Sequence, residues 1–303
     1  MISTLNPTNQ AFVNSLAQIN QQLNQDQLEM TSGVQMQQVS DDPDQVSELL
    51  QARAALSASQ QISTNLTSVN TEVNTGEQAL ENAVQLFDQV QTLAATSATG
   101  TATAATRSQD SQQLQSIEQQ LVGLANTNIQ GRYIFAGDSD QTQPYNYDPT
   151  QSDPVSAYQG SASTREIQGA NGATFPVALT AQQIFDSTDP ATNIFTAING
   201  LITAMNNNDQ PAILTLQDGL PAISAYLNQQ LAFYGTTQDN VQAATNFAQT
   251  QQTQLQSQIS SLQDADQTSV ILDMTQEQTQ LQAAMESKAE IPQTTLFDFI
   301  SQS

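Results

Sequence analysis

Residues 59–94 read SQQISTNLTSVNTEVNTGEQALENAVQLFDQVQTLA. Ser59, Ile62, Leu66, Val69, Val73, Gly76, Leu80, Ala83, Phe87, Val90 and Ala94 follow one another in unbroken steps of three and four. Such spacing sets one side chain per turn along a single line of a helix. Val84, Leu86 and Leu93 broaden the line into a face, which predicts packing in a bundle rather than a bare two-stranded seam. The small, turn-prone run Thr96-Ser97-Ala98-Thr99-Gly100-Thr101 predicts the stop. Leu114, Ile117, Leu121 and Leu124 then predict a second helix that folds back as an antiparallel hairpin.

Working outward, Ser40-Asp41-Asp42-Pro43 reads as the start of the long helix. Pro43 takes the first helical position, Asp42 the N-cap, and Gln45 follows three residues later. Upstream, Phe12, Leu16, Ile19, Leu23 and Met30 form one narrow apolar stripe, with Asp26 and Gly33 as polar interruptions. Past Gly131 the grammar changes. Arg132-Tyr133-Ile134-Phe135-Ala136-Gly137 reads as a short strand, and the Asp-, Pro-, Gly- and Tyr-rich stretch to about Thr180 as a small β-rich insert.

Helical spacing returns at Ile194, Ile198, Ile202 and Met205, and Pro211 opens a long region holding Leu214, Ile223, Leu227, Leu231 and Tyr234. Val241, Ala244, Ala248, Leu255 and Leu262 form one stripe; Val270, Met274, Leu281 and Met285 form another. Between the two, the Asp264-Ala265-Asp266 stutter predicts a boundary. The expected fold is therefore mainly α: long antiparallel helices and coiled coil from both chain ends, elongated, with a small β-rich insert. The expected domains are 1–40 with 265–303 (terminal coiled coil), 41–131 with 189–264 (helical bundle) and 132–188 (insert).

Composition narrows the chemistry. The 303 residues carry 29 Asp and Glu against 5 Lys and Arg, a formal charge of −24, with no His, Cys or Trp. Thiol nucleophiles, Ser–His centres and Cys or His metal sites are excluded. So acidic a surface is repelled by nucleic acid and by anionic membranes. No stretch reaches the roughly eighteen apolar residues of a membrane span, and the N-terminal residues lack the basic and apolar regions of a cleaved signal peptide. Asp41 and Asp42 read as helix-capping groups rather than a catalytic carboxylate pair. Asp138-Ser139-Asp140 fails as a calcium loop, because Gln143 and Pro149 stand where Gly and Glu are needed. Lys288, the one lysine, sits at the end of a helix where a cation suits the dipole. No catalytic, metal or cofactor site is expected.

The terminal stripes have a different consequence. Five large apolar side chains are set against the ordering of about thirty backbones, and one narrow stripe does not offset that loss. The ends are expected to complete their folding against neighbouring helices. Phe12, Leu16, Ile19, Leu23 and Met30, with Val270, Met274, Leu281, Met285, Leu296 and Phe297, are the expected assembly interface.

Met1-Ile2-Ser3-Thr4, Thr31-Ser32-Gly33, Ser40-Asp41-Asp42-Pro43 and Gly76-Glu77-Gln78-Ala79-Leu80 together resemble the N-terminal region of the flagellin-related family. Gly131–Gly137 and the terminal Thr295-Leu296-Phe297-Asp298-Phe299 resemble its hook–filament junction members. A filament flagellin more usually has Asp-Asp-Ala where Asp42-Pro43 falls here, and ends in a Leu-Leu-Arg-like tail. The chain departs from the family in having Val34-Gln35-Met36 where a basic pair often follows Ser-Gly. The resemblance implies a flagellin-like rod whose paired terminal helices build a tubular core. It also implies an extracellular place in the flagellum, reached by type III export without a cleaved signal. A cytoplasmic export chaperone would bind the C-terminal amphipathic region beforehand. The subunits would self-associate in a thin ring between hook-associated protein 1 and the first flagellin layer. The alternatives left by the sequence are filament flagellin itself and, from another class, a secreted adhesin-like module with the insert as its recognition head.

Overall fold

The computed structural model describes residues 7–35, 43–168 and 174–290. The elements in order are α1 (Pro7–Ser32), α2 (Pro43–Ala98), α3 (Ala104–Ala125), β1 (Asn128–Ile129), β2 (Arg132–Tyr133), β3 (Glu166–Gln168), β4 (Thr174–Pro176), α4 (Ala181–Phe185), α5 (Ile194–Asn206), α6 (Gln210–Gln263) and α7 (Gln267–Glu290). The chain divides into two compact units, Met1–Ala58 with Gln251–Ser303, and Ser59–Thr250.

In the second unit the stripe of α2 meets α6. Leu66, Val69, Val73, Leu80, Ala83, Phe87, Val90 and Ala94 are buried, as are Leu220, Ile223, Leu227, Tyr234, Val241, Ala244 and Ala248. Gln238 donates to Asn74 (2.7 Å) and Gln91 to the Leu220 carbonyl (3.5 Å), so the two helices run antiparallel. Gly76 is where they approach closely: a Cβ there would lie 2.4 Å from the ring of Tyr234. One seam position differs from expectation. Ile62 is 51% exposed, and Ser63 turns partly inward instead. Buried Ser59 donates to the Ala248 carbonyl (3.3 Å), which sets the rotation of α2 at that level.

α3 opens on a Thr103 N-cap that accepts from the Thr106 amide, and it runs close beside α5. The turns at its N-terminal end are held by buried Arg107. This side chain donates to the carbonyls of Ser97 (2.9 Å) and Thr99 (3.2 Å) and to the Asn208 side chain. Ser97 in turn donates to Asp110 (2.6 Å), which fastens the end of α2 to the start of α3. α6 passes through Pro221 without ending.

Among the described residues between α3 and α5, strand pairing amounts to two short antiparallel pairs, β1–β2 and β3–β4, and one isolated antiparallel bridge, Tyr147 with Val155. Gln130 (φ 52°) and Gly131 (φ 86°) both take positive φ, the two-residue turn that matches strand twist. The strand expected through Gly137 stops at Tyr133. The chain then turns through Gly137 (φ 64°), where a Cβ would fall 2.2 Å from the Ser161 carbonyl. The remainder is loop packed around aromatic rings. Phe135 meets Phe185 (6.4 Å) and Tyr234 (6.3 Å) edge-on, and Tyr145 meets Phe195 (5.3 Å). These rings belong to the same core as the helices.

In the first unit α1 lies along α7. The segment after α1 is joined to the α6–α7 turn by backbone hydrogen bonds, Gln35 N–H to Gln263 (2.8 Å) and Ala265 N–H to Gly33 (3.0 Å). Arg53 of α2 donates to Gln263 (2.6 Å), and Gln258 of α6 to Glu48 (2.9 Å).

Candidate assembly seam

The two terminal helices are locally well punctuated. α1 ends at Gly33, which takes φ 69° and returns its amide to the Glu29 carbonyl (2.8 Å), the usual left-handed glycine stop. α7 starts on Asp266, whose carboxylate accepts from the amides of Thr268 (2.9 Å) and Ser269 (3.4 Å). The Asp264–Asp266 stutter is thus a true break between helices.

The seam is thin. On α1, Phe12, Leu16, Ile19 and Leu23 are half-buried; on α7, Val270 is buried while Met274, Leu281 and Ala284 are half-buried. Lys288 stands 5.3 Å over the ring of Phe12, which fixes the antiparallel sense of the pair. Asp26 lies within the seam, 6% exposed, and not outside it as an interruption. Met30 and Met285 lie outside: they are 45% and 60% exposed, and Ala284 and Lys288 occupy the inner line of α7 instead. The inner line keeps to three–four steps as 270, 274, 277, 281, 284, 288, so a polar Glu277 and an aliphatic lysine stem belong to it. Periodicity limited to apolar residues passes over both. Leu296, Phe297, Ser40, Asp41 and Asp42 fall outside the described residues, whereas Pro43 opens α2 as expected.

A second apolar face runs along the outside of α7, where Thr268, Ile271, Leu272, Thr275, Gln276 and Thr279 line a shallow groove. The hydroxyls of Thr275 and Thr279 donate to the Ile271 and Thr275 carbonyls of the same helix, which leaves little polar demand on this face. Leu272 is 65% exposed.

The cations are committed within the chain. Arg132 pairs with Asp140 (2.6 Å), Arg165 with Glu72, Arg53 with Gln263, Arg107 with its turn carbonyls, and Lys288 with Phe12. Among the described residues no group of three or more His, Cys, Asp or Glu is placed to hold a metal ion, and no helix is long and apolar enough to cross a membrane.

One buried acid was not singled out by its sequence position. Glu118 on α3 is fully buried, and neither carboxyl oxygen meets a hydrogen-bond donor at bonding geometry. Burial first, and then the Asp153 charge, push its pKa up to about 7. The neighbouring Tyr147 hydroxyl donates to the Gln115 carbonyl (3.3 Å). The available signal was its place one turn after Leu114, on the face that Leu114 and Leu121 bury.

Sequence comparison sets these helices in a family. The model of the bacterial flagellin N-terminal helical region matches residues 2–140, and that of the C-terminal helical region matches residues 222–300. The chain belongs to the flagellin-related family. Within it, the chain is similar to flagellar hook-associated protein 3 of Escherichia coli K12, 24% identical with 89% of this chain and 90% of that protein covered. Its similarity to flagellar hook-associated protein 3 of Salmonella typhimurium LT2 is 25% over the same shares. In fold it resembles a flagellar hook-associated protein from Vibrio parahaemolyticus, with a TM-score of 0.65 at 20% identity, covering 74% of this chain and 100% of that one.

Proposed function

We propose that the chain is a structural subunit of the bacterial flagellum. It forms the junction ring between hook-associated protein 1 and the flagellin filament and carries out no catalysis. The observation that carries this reading is the α1–α7 seam: all its inner apolar residues but Val270 are only half-buried in the lone subunit, while a second apolar face of α7 stands open. Docking of neighbouring copies on these helices removes that surface from water, so Phe12, Leu16, Ile19, Leu23, Val270, Met274 and Leu281 act through assembly. Met30 and Met285 join the contact set from the outer side, and Leu296 and Phe297 of the tail complete it on assembly.

The assembling portion is 1–40 with 265–303, the bundle 41–131 with 189–264, and the insert 132–188. With every cation engaged inside the subunit, contacts between copies rest on apolar seams and on Gln and Asn side chains. Salt within about 8 Å screens the like charges that assembly brings together. The subunit reaches its extracellular site by flagellar type III export, after a cytoplasmic chaperone has covered the C-terminal amphipathic region.

The test is addition of purified subunit to isolated hooks carrying hook-associated protein 1, followed by flagellin. Growth that stops after one layer and then accepts flagellin supports the junction role. Unlimited growth of this subunit alone makes it a filament flagellin.

A further inference from the structure

A small hairpin, residues 146–156, lies against α3 and α5. It is knit by the Tyr147–Val155 bridge, by Asp148 N–H to the Pro154 carbonyl (2.8 Å) and by Ser156 N–H to the Asn146 carbonyl (2.9 Å). Its root is clamped twice by Asn126, which donates to the Tyr145 carbonyl (2.8 Å) and accepts from the Tyr145 amide (3.0 Å). Farther out, single bonds tie it to the helices. The Tyr147 hydroxyl donates to the Gln115 carbonyl of α3 (3.3 Å), and Asn199 of α5 donates to the Ser152 carbonyl (3.1 Å). Val155 is buried in the core shared with the helices.

Gln115 stands one turn before Glu118, so Tyr147 brings the hairpin down beside that acid. Glu118 is 0% exposed, and both of its carboxyl oxygens are buried without a donor. An ionised carboxylate in such a place is costly, whereas the neutral acid is far less so. The surroundings bring it no cation. The hairpin presents Tyr147 and the acid Asp153. α5 has no charged residue, and α6, like α2 beyond Arg53, has acids alone. Asp186, before α5, accepts from Asn193 (2.8 Å), and Arg107 on α3 is taken up by the turn carbonyls.

We propose that the 146–156 hairpin is a latch seated on neutral Glu118, which lifts about its Asn126 root when that carboxyl ionises. Closing takes one proton from solvent onto Glu118, and opening in neutral solution returns it. Asp153 lies on the hairpin itself, so its repulsion from an ionised Glu118 acts on the part held by single bonds. The region between α3 and α5 thereby responds to pH locally while the α2–α6 packing stays closed. This property belongs to the lone subunit and stands whatever the chain assembles with.

Hydrogen exchange of the full chain at pH 5.5 and pH 8, corrected for the intrinsic chemical rate, reads the latch at the amides of Asp148 and Ser156. The covered Glu118 is raised from 4.5 to about 7, so opening releases its proton between these values and the effect levels off above them. One proton per opening permits at most about tenfold per pH unit, and the expected rise in opening over this interval is at least about fivefold. Residues 66–94 are expected to keep their protection at both values. Glu118→Gln, and Glu118→Met as a second neutral side chain, are expected to hold the pH 5.5 protection of the hairpin at pH 8. A wild-type hairpin equally protected at both values would overturn the proposal. So would a folded neutral variant that keeps the wild-type dependence, or a loss of protection shared equally by 66–94, the sign that the whole unit opens.

Discussion

At Gly76 and Tyr234 a single hydrogen atom decides how closely two long helices meet. The Tyr234 ring sits where a β-carbon of residue 76 would be, and its hydroxyl receives the Leu179 amide (3.3 Å), so the ring has no freedom to withdraw. Gly76→Ala is expected to destabilise the Ser59–Thr250 unit by about 1–3 kcal/mol through overpacking, read as a lower urea midpoint. Glu118 gives a pH-dependent prediction. Its folded pKa is raised from 4.5 to about 7, so the folded unit binds its proton more tightly than the unfolded chain does. The stability linked to it is complete below about pH 4.5 and is lost as pH rises to about 7, amounting to at most about 3 kcal/mol. Glu118→Gln is expected to stabilise the chain at pH 8 and to change little at pH 4.5; an equal effect at both would show that the charge is not what matters.

At the scale of elements, punctuation was legible and rotation was not. Pro43, the turn after Ala98, and the Asp264–Asp266 break each act through local backbone chemistry, and each stands where the residues indicated. The seams were legible only to within one residue. An apolar count put Ile62, Met30 and Met285 inside, whereas Ser63, Ala284 and Lys288 hold the inner positions. Rotation about a helix axis is set by partners distant in sequence, such as Ala248 for Ser59, and by buried polar groups such as Asp26 that a hydrophobic pattern discards. The region between α3 and α5 shows the same limit: its β-branched and aromatic residues serve a ring cluster built with Tyr234 and Phe195 more than a sheet. From the thinness of the α1–α7 seam, Leu16→Asp or Leu281→Asp is expected to abolish assembly onto hooks while changing the circular dichroism of the lone subunit only slightly. A large loss of helix signal would mean that these residues already support a self-sufficient core.

Over the whole molecule the two units differ in how far their apolar surface is satisfied. Ser59–Thr250 encloses a continuous core of aliphatic and aromatic side chains, many of them wholly buried. In the other unit Phe12, Leu16, Ile19 and Leu23 of α1 are half-covered, and Met30 with Ile271 and Leu272 on α7 are largely open. A protein so built is stable in one part and incomplete in the other, a division suited to a subunit that is added to a growing structure. The absence of His and Cys, the engagement of every cation and the acidic surface are consistent with that role. The direct test is hydrogen exchange on the same chain, free in solution and assembled on hooks. The account predicts rapid exchange in residues 7–32 and 267–290 of the free subunit, slow exchange in 66–94 and 220–248, and strong protection of the ends once assembled. Ends as protected in the free subunit as its buried bundle would contradict it.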